Sequence, residues 1–206
     1  MKVTKITMGS VQTNCYILNH NGDLIIIDPS AETADEFKRI EKAVSTQGRV
    51  IAVLLTHGHF DHIAGVDRCV SAYNVPVYIH TLDQPFLQDP NLNGSSRLAA
   101  DVVVNAKAIE FVAGPLVIGD VVFEVVETPG HTHGSVTFIS GTQAFVGDFI
   151  FHGSIGRTDL PTGSMQTMER SIHTFLEQYQ DDLVLYPGHG ELTRLSTERL
   201  INPYLQ

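Results

Sequence analysis

The sequence predicts an α/β fold in four layers, helix–sheet–sheet–helix, as a single domain over residues 1–206. Three observations predict it. Short apolar runs alternate with amphipathic helical patterns in both halves of the chain, which places sheets inside and helices outside. The runs D-L-I-I-I-D (Asp23–Asp28) and V-I-A-V-L-L (Val50–Leu55) are apolar along almost their whole length, as strands covered on both faces are. A composition of 43% hydrophobic and 17% charged residues is enough to fill such a core and excludes a disordered chain.

Each element follows from a local signal. Lys2–Thr7 and Asn14–Leu18 read as strands by alternation and β-branched content. Asn21-Gly22 is a hairpin turn, and Asp28-Pro29 ends the strand that follows it. Ser30 is expected to cap a helix over Ala31–Gln47, with Phe37, Ile40 and Val44 on one face and Gly48 as its stop. After the strand Val50–Leu55 come a helix over Ile63–Tyr73, a strand over Val75–His80 and a short helix over Thr81–Leu87. Asp89–Leu98 is rich in Pro, Asn, Gly and Ser and reads as loop. Val102–Val146 reads as strands, broken at Gly114-Pro115, Gly119-Asp120 and Gly141. A helix over Met165–Gln178, the strand L-V-L-Y (Leu183–Tyr186) and a final helix over Ser196–Ile201 complete the pattern.

Charge and composition exclude several roles. The formal charge is −10, from 13 basic and 23 acidic residues, without a basic cluster, so a nucleic-acid partner lacks its electrostatic footprint. No apolar run approaches the roughly 18 residues of a membrane span, and the start M-K-V-T-K-I-T has no signal-peptide core. Cys15 and Cys69 are the only cysteines and make no disulfide framework, which points to the cytoplasm.

The chemistry concentrates in T-H-G-H-F-D-H (Thr56–His62), directly after an apolar strand. Packing alone does not demand such spacing. His57 and His59 can face one centre from a tight loop, and Asp61 and His62, on the next turn, a neighbouring one. Four donors exceed what one open catalytic ion takes. Further donors sit after later strands: His131 in T-P-G-H, Asp148 in G-D and His189 in Y-P-G-H-G, each beside glycine. His57, His59 and His131 are expected to hold one divalent ion, and Asp61, His62 and His189 a second. Asp148 is expected to bridge them with a shared water or hydroxide. His80, His133, His152 and His173 are expected to be structural or surface residues.

In this order along nearly the whole chain, T-H-G-H-F-D-H, P-G-H-T, G-D and P-G-H-G resemble the metallo-β-lactamase fold superfamily. The resemblance implies an αββα sandwich with two metals at one edge of the sheets, and the same ligand assignment. It also implies that Asp28 supports the metal loop from beneath; its plain alternative is a strand-end cap. G-D-F-I-F-H-G-S-I-G-R-T-D-L-P-T-G-S (Gly147–Ser164) and the start G-S-V-Q-T-N-C-Y look like the short bacterial branch of the glyoxalase II-like hydrolases, the hydroxyacylglutathione hydrolases, which lack the C-terminal helical domain of full glyoxalase II. The implied activity is hydrolysis of a hydroxyacyl-glutathione or related small thioester.

A water ionised by two divalent cations would serve as nucleophile at neutral pH, with Asp61 and Asp148 as the catalytic carboxylates. A thiolate leaves without a general acid, since its conjugate acid has a pKa of about 8.5. His and carboxylate donors suit zinc, and also iron or manganese. The centre keeps net positive charge and favours an anionic substrate. Arg157 either meets that anion at the pocket mouth or holds its own loop with Asp159. The alternative reading is a mononuclear iron persulfide dioxygenase, which shares G-R-T-D.

Overall fold

The computed structural model describes residues 1–98, 101–180 and 182–206. The chain first lays down β1 (Lys2–Met8), β2 (Thr13–His20) and β3 (Asp23–Ile27) as an antiparallel meander. Asn21 and Gly22, at φ 53° and 92°, make the β2–β3 turn, as the Asn-Gly pair predicts. Helix α1 (Ala34–Ser45) then crosses back to β4 (Arg49–Leu54), parallel to β3. The short α2 (Phe60–Ile63) and α3 (Val66–Tyr73) lead to β5 (Val77–His80). After a 3-10 turn over Thr81–Leu87 and α4 (Pro90–Asn93), the parallel β6 (Ala108–Phe111) closes a six-stranded sheet in the order β1 to β6.

The second half builds β7 (Gly114–Ile118), β8 (Val121–Glu127), β9 (Val136–Ser140) and β10 (Gln143–Gly147), then the hairpin of β11 (Ile150–Phe151) and β12 (Ser154–Ile155). Helix α5 (Met165–Gln178) returns the chain to β13 (Val184–Pro187), parallel to β10, and β14 (Thr193–Arg194) and α6 (Leu195–Ile201) end it. The second sheet runs β14-β13-β10-β9-β8-β7.

Three apolar cores prove the four layers. Alternation along β3 sends Leu24 and Ile26 outward, against Phe37, Ile40 and Val44 of α1. It sends Ile25 and Ile27 inward, to meet Phe123, Phe138 and Phe145 of the second sheet. On the far side Met168, Ile172 and Phe175 of α5 cover Ala144, Val146 and Leu185. Among the described residues no helix is long and apolar enough to cross a membrane.

Some boundaries differ from the expectation. Helix α1 is capped by Thr33, not Ser30. Thr33 Oγ1 accepts from Glu36 N at 3.2 Å, and Glu36 Oε2 accepts from Thr33 N at 3.0 Å, a capping box that outcompetes Ser30. Ser30 is instead buried and donates to Thr13 O. Asp89–Leu98 is not plain loop: Asp89 caps α4, with Pro90 at its first position, and a 3-10 turn spans Ser95–Arg97. Residues 102–107 carry no strand, and β6 belongs to the first sheet.

Candidate metal centre

Every donor expected from the sequence lies just past the C-terminal end of a strand. His57 and His59 follow β4, and Asp61 and His62 occupy α2 beyond them. His131 follows β8, Asp148 follows β10 and His189 follows β13. The parallel pairings of β3 with β4 and of β10 with β13 bring these ends to one rim, where ligands of α/β sheets gather. The structure brings all seven together. Donor atoms of His57, His59 and His131 lie within 4.8 Å of one another, as do those of Asp61, His62 and His189, and those of His57, His62 and Asp148.

The outer hydrogen bonds decide which way each ring faces. Thr56 Oγ1 gives its proton to Asp28 Oδ2 at 2.7 Å, so it receives the Nδ1 proton of His57 at 3.1 Å. His62 donates Nδ1–H to Asp28 Oδ2 at 2.9 Å, and His131 donates Nδ1–H to the Arg157 carbonyl at 2.7 Å. Each of the three rings therefore turns an Nε2 lone pair inward, the arrangement that outer acceptors impose on metal-binding histidines. His57 Nε2, His62 Nε2 and Asp148 Oδ1 are sealed from solvent with no hydrogen-bond partner, and His59 turns its other nitrogen, Nδ1, to 2.7 Å from His131 Nε2. Native interiors rarely leave such groups unmet. Their convergence, with the nitrogen–carboxylate donor set, fits a bound divalent cation.

The charges say the same. Burial lowers the pKa of His57, and of His59 to about 3, so both rings stay neutral donors. Burial alone would also lower His62, but Asp61, Asp28 and Asp148 outweigh it and hold the ring well above its ordinary range. His189, despite its own burial, is raised to about 10 by Asp148 and Asp61. Burial would raise Asp61, yet His62 and His189 bring it to about 2. The cluster thus draws positive charge wherever it can take it.

Asp28 lies beneath this cluster as the resemblance implies. Its oxygens receive Thr56 N at 2.8 Å, Thr56 Oγ1 and His62 Nδ1, and its backbone takes φ 51°, a conformation non-glycine residues rarely adopt. Asp148 sits between the two donor sets, with Oδ1 3.4 Å from His62 Nε2 and Oδ2 3.4 Å from both His131 Nε2 and His189 Nε2. Gly188 makes that approach feasible, since a Cβ there would strike Asp148 Oδ1 and His62 Cε1.

Two residues escaped the sequence reading. Thr13 donates to Asp61 Oδ2 at 2.6 Å. Asp83, fully buried, receives Gly58 N at 2.8 Å, Thr132 Oγ1 at 2.7 Å and Gly134 N at 2.8 Å. It thereby ties the loop of His57 and His59 to the loop of His131. Neither has a local motif; the apolar turn T-L-D-Q-P-F-L gave the only hint, a lone acid among core residues. The Arg157 guanidinium is clamped on Asp159 at 2.7 and 2.8 Å, as the loop-holding reading expects, and the residue borders the cavity over the cluster. His133 and His173 are exposed, and His80 pairs with Glu127 at 3.1 Å, all apart from the cluster.

A cavity of about 580 Å³ opens above His59, Asp61, His131, Asp148 and His189. Among the described residues its lining contains no lysine, tyrosine or cysteine.

Comparison with known proteins adds family information. A family model described as the metallo-beta-lactamase superfamily matches residues 8–189. A Bacillus subtilis protein named "Probable metallo-hydrolase YqgX" is 36% identical over 100% of this chain and 98% of its own. The hydroxyacylglutathione hydrolase GloC of Haemophilus influenzae is 30% identical over 100% of this chain and 98% of its own. Among solved structures, the B3 metallo-beta-lactamase BLEG-1 superposes with TM-score 0.91 at 36% identity, covering 100% of both chains. TTHA1623 in a di-iron-bound form superposes with TM-score 0.87 at 32% identity, covering 98% of this chain and 100% of its own.

Proposed function

Since this chain belongs to the metallo-beta-lactamase superfamily, a family of metal-dependent hydrolases, we propose that it hydrolyses a small thioester, of the hydroxyacyl-glutathione kind or related to it. The carrying observation is the cavity itself. The donor cluster forms its floor, and among the described residues no other titratable acid stands in its lining to protonate a leaving group. An amide needs such a donor at nitrogen; a thiolate does not. The likeness to the hydroxyacylglutathione hydrolase GloC supports the same reading.

His57, His59 and His131 would hold one divalent ion, Asp61, His62 and His189 the other, with Asp148 between. When bound, such ions supply an ionised water at neutral pH and positive charge opposite a developing oxyanion. The chain's own part is preorganisation. Asp28, Thr56 and the Arg157 carbonyl hold the rings, Thr13 orients Asp61, and Asp83 keeps the two histidine loops in register. Zinc suits the donor set, and the di-iron form of TTHA1623 makes iron the second candidate.

A second reading has its own support. The superposition on BLEG-1 favours β-lactam hydrolysis, in which the strained ring opens readily at its C–N bond. Metal analysis by mass spectrometry, paired with assays of lactoylglutathione, simple acyl thioesters and a β-lactam, tests both. Thioester turnover well above β-lactam turnover supports the proposal. β-Lactam turnover alone, or oxygen uptake on a persulfide with one iron per chain, overturns it.

A further inference from the structure

Away from the donor cluster the cavity is lined largely by apolar side chains. Its walls away from the cluster are Val11, Phe60, Leu98, Phe151, Ile155 and Leu160. Val11 and Leu98, from opposite ends of the first half, both expose large apolar side chains at this cavity, and exposed apolar surface beside a cleft marks a ligand groove. The polar residues among the lining are mostly spent. Asn93 donates Nδ2–H to Phe86 O and Val102 O, both at 2.9 Å, and accepts from Ser95 N at 3.0 Å. Arg157 gives two of its N–H groups to Asp159.

Arg97 differs from Arg157. It also lines the cavity, at the end of the 3-10 turn over Ser95–Arg97, and makes no ion pair within 4 Å among the described residues; Asp159 feels its charge, but that carboxylate is already held by Arg157. A guanidinium at an apolar cavity, in a chain of net charge −10, is a ready partner for a carboxylate.

Building on the thioester reading, we infer that this cavity selects a substrate arm that is apolar along its length and carboxylate-terminated, with Arg97 reading the carboxylate. The substrate class is then, within that reading, an ω-carboxyacyl thioester or a thioester of an ω-carboxyalkyl thiol. Arg97 is a specificity residue, remote from the bond that breaks.

The test uses the metal-loaded full chain and three thioesters of one neutral thiol, N-acetylcysteamine, carrying lactoyl, hexanoyl and adipoyl groups. The expected order of kcat/KM is adipoyl over hexanoyl over lactoyl, with about tenfold between the first two, the usual worth of one charge-assisted contact, expressed in KM. Arg97→Gln should bring the adipoyl-to-hexanoyl ratio to about one, and Arg97→Lys should restore part of it. The same ratio among S-acetyl esters of hexanethiol and 6-mercaptohexanoate supports the inference with the arm on the thiol side. Ratios near one in both series, or ratios untouched by Arg97→Gln, overturn the inference and leave thioester hydrolysis standing. Hydrolysis of none of the esters overturns the thioester reading instead. Calorimetric titration with adipate then decides the cavity: binding weakened about tenfold by Arg97→Gln supports it, and no binding to either protein overturns it.

Discussion

Asp28 Oδ2 accepts the Nδ1 proton of His62 at 2.9 Å, and neither side chain reaches solvent. The same carboxylate holds Thr56, which holds His57, so one residue orients a ring from each of the two donor sets. Asp28→Asn keeps the shape and tolerates the positive φ, but removes the charge. Metal affinity should fall about 10–100-fold, measured by chelator competition. Unchanged affinity would show that Asp28 only ends its strand.

Asp148→Ala removes the carboxylate that faces His62, His131 and His189 together. Most activity and at least one metal per chain should be lost, read by turnover and mass spectrometry on the same sample. A fully active variant ends the bridging role.

Asp83→Ala strands two buried backbone N–H groups, while the Thr132 hydroxyl keeps Ser135 Oγ as a partner. The cost in stability should be about 3 kcal/mol by denaturant unfolding, since each orphaned donor costs about 1–3 kcal/mol and the site relaxes in part. Metal affinity should fall as well, because the loops of His57 and His131 lose their tie. Normal affinity in a destabilised variant would make Asp83 purely structural.

Glu198 gives a pH prediction away from the metals. Burial alone would raise its carboxyl, but Thr193, Gly153 N, Asn202 and His152 together hold it below the ordinary range. The unfolded chain therefore takes up this proton first as pH falls. The stabilisation is complete above the ordinary glutamate range and is lost as pH drops through the lowered folded value. Glu198→Gln should be less stable than wild type at neutral pH, with the gap closing in acid. Thermal melts from pH 7 to pH 3 check this; a constant gap contradicts it.

Thr33→Ala breaks the capping box of α1 on the surface. A loss of about 1 kcal/mol is expected in chemical denaturation, with turnover intact. Ser30→Ala, by comparison, removes no cap.

Much of this was legible in the residues. Ile25, Ile26 and Ile27 announce a strand buried on both faces, and the seven donors stand out because each follows an apolar strand. Local signals failed where partners are distant in sequence. Thr13 reaches Asp61, and Asp83 reaches Gly134, through contacts that no window of neighbouring residues contains. Ser30 and Thr33 are both good caps by type, and only Glu36, three residues past Thr33, separates them. Strand β6 reads like its neighbours β7 and β8, and its place beside β5 is set by parallel pairing across a long connection.

His57 and His59 stand on the first sheet's rim and His131 on the second's, with the aromatic layer of Phe123, Phe138 and Phe145 between the sheets below them. An ion gripped from both sides works as a gauge of how the two halves are seated. A slide of one sheet over the other by a single residue step, about 3.3 Å, would pull the donors out of reach. Whatever disturbs the seam, however far from the rim, will be felt first as a loosened hold on metal.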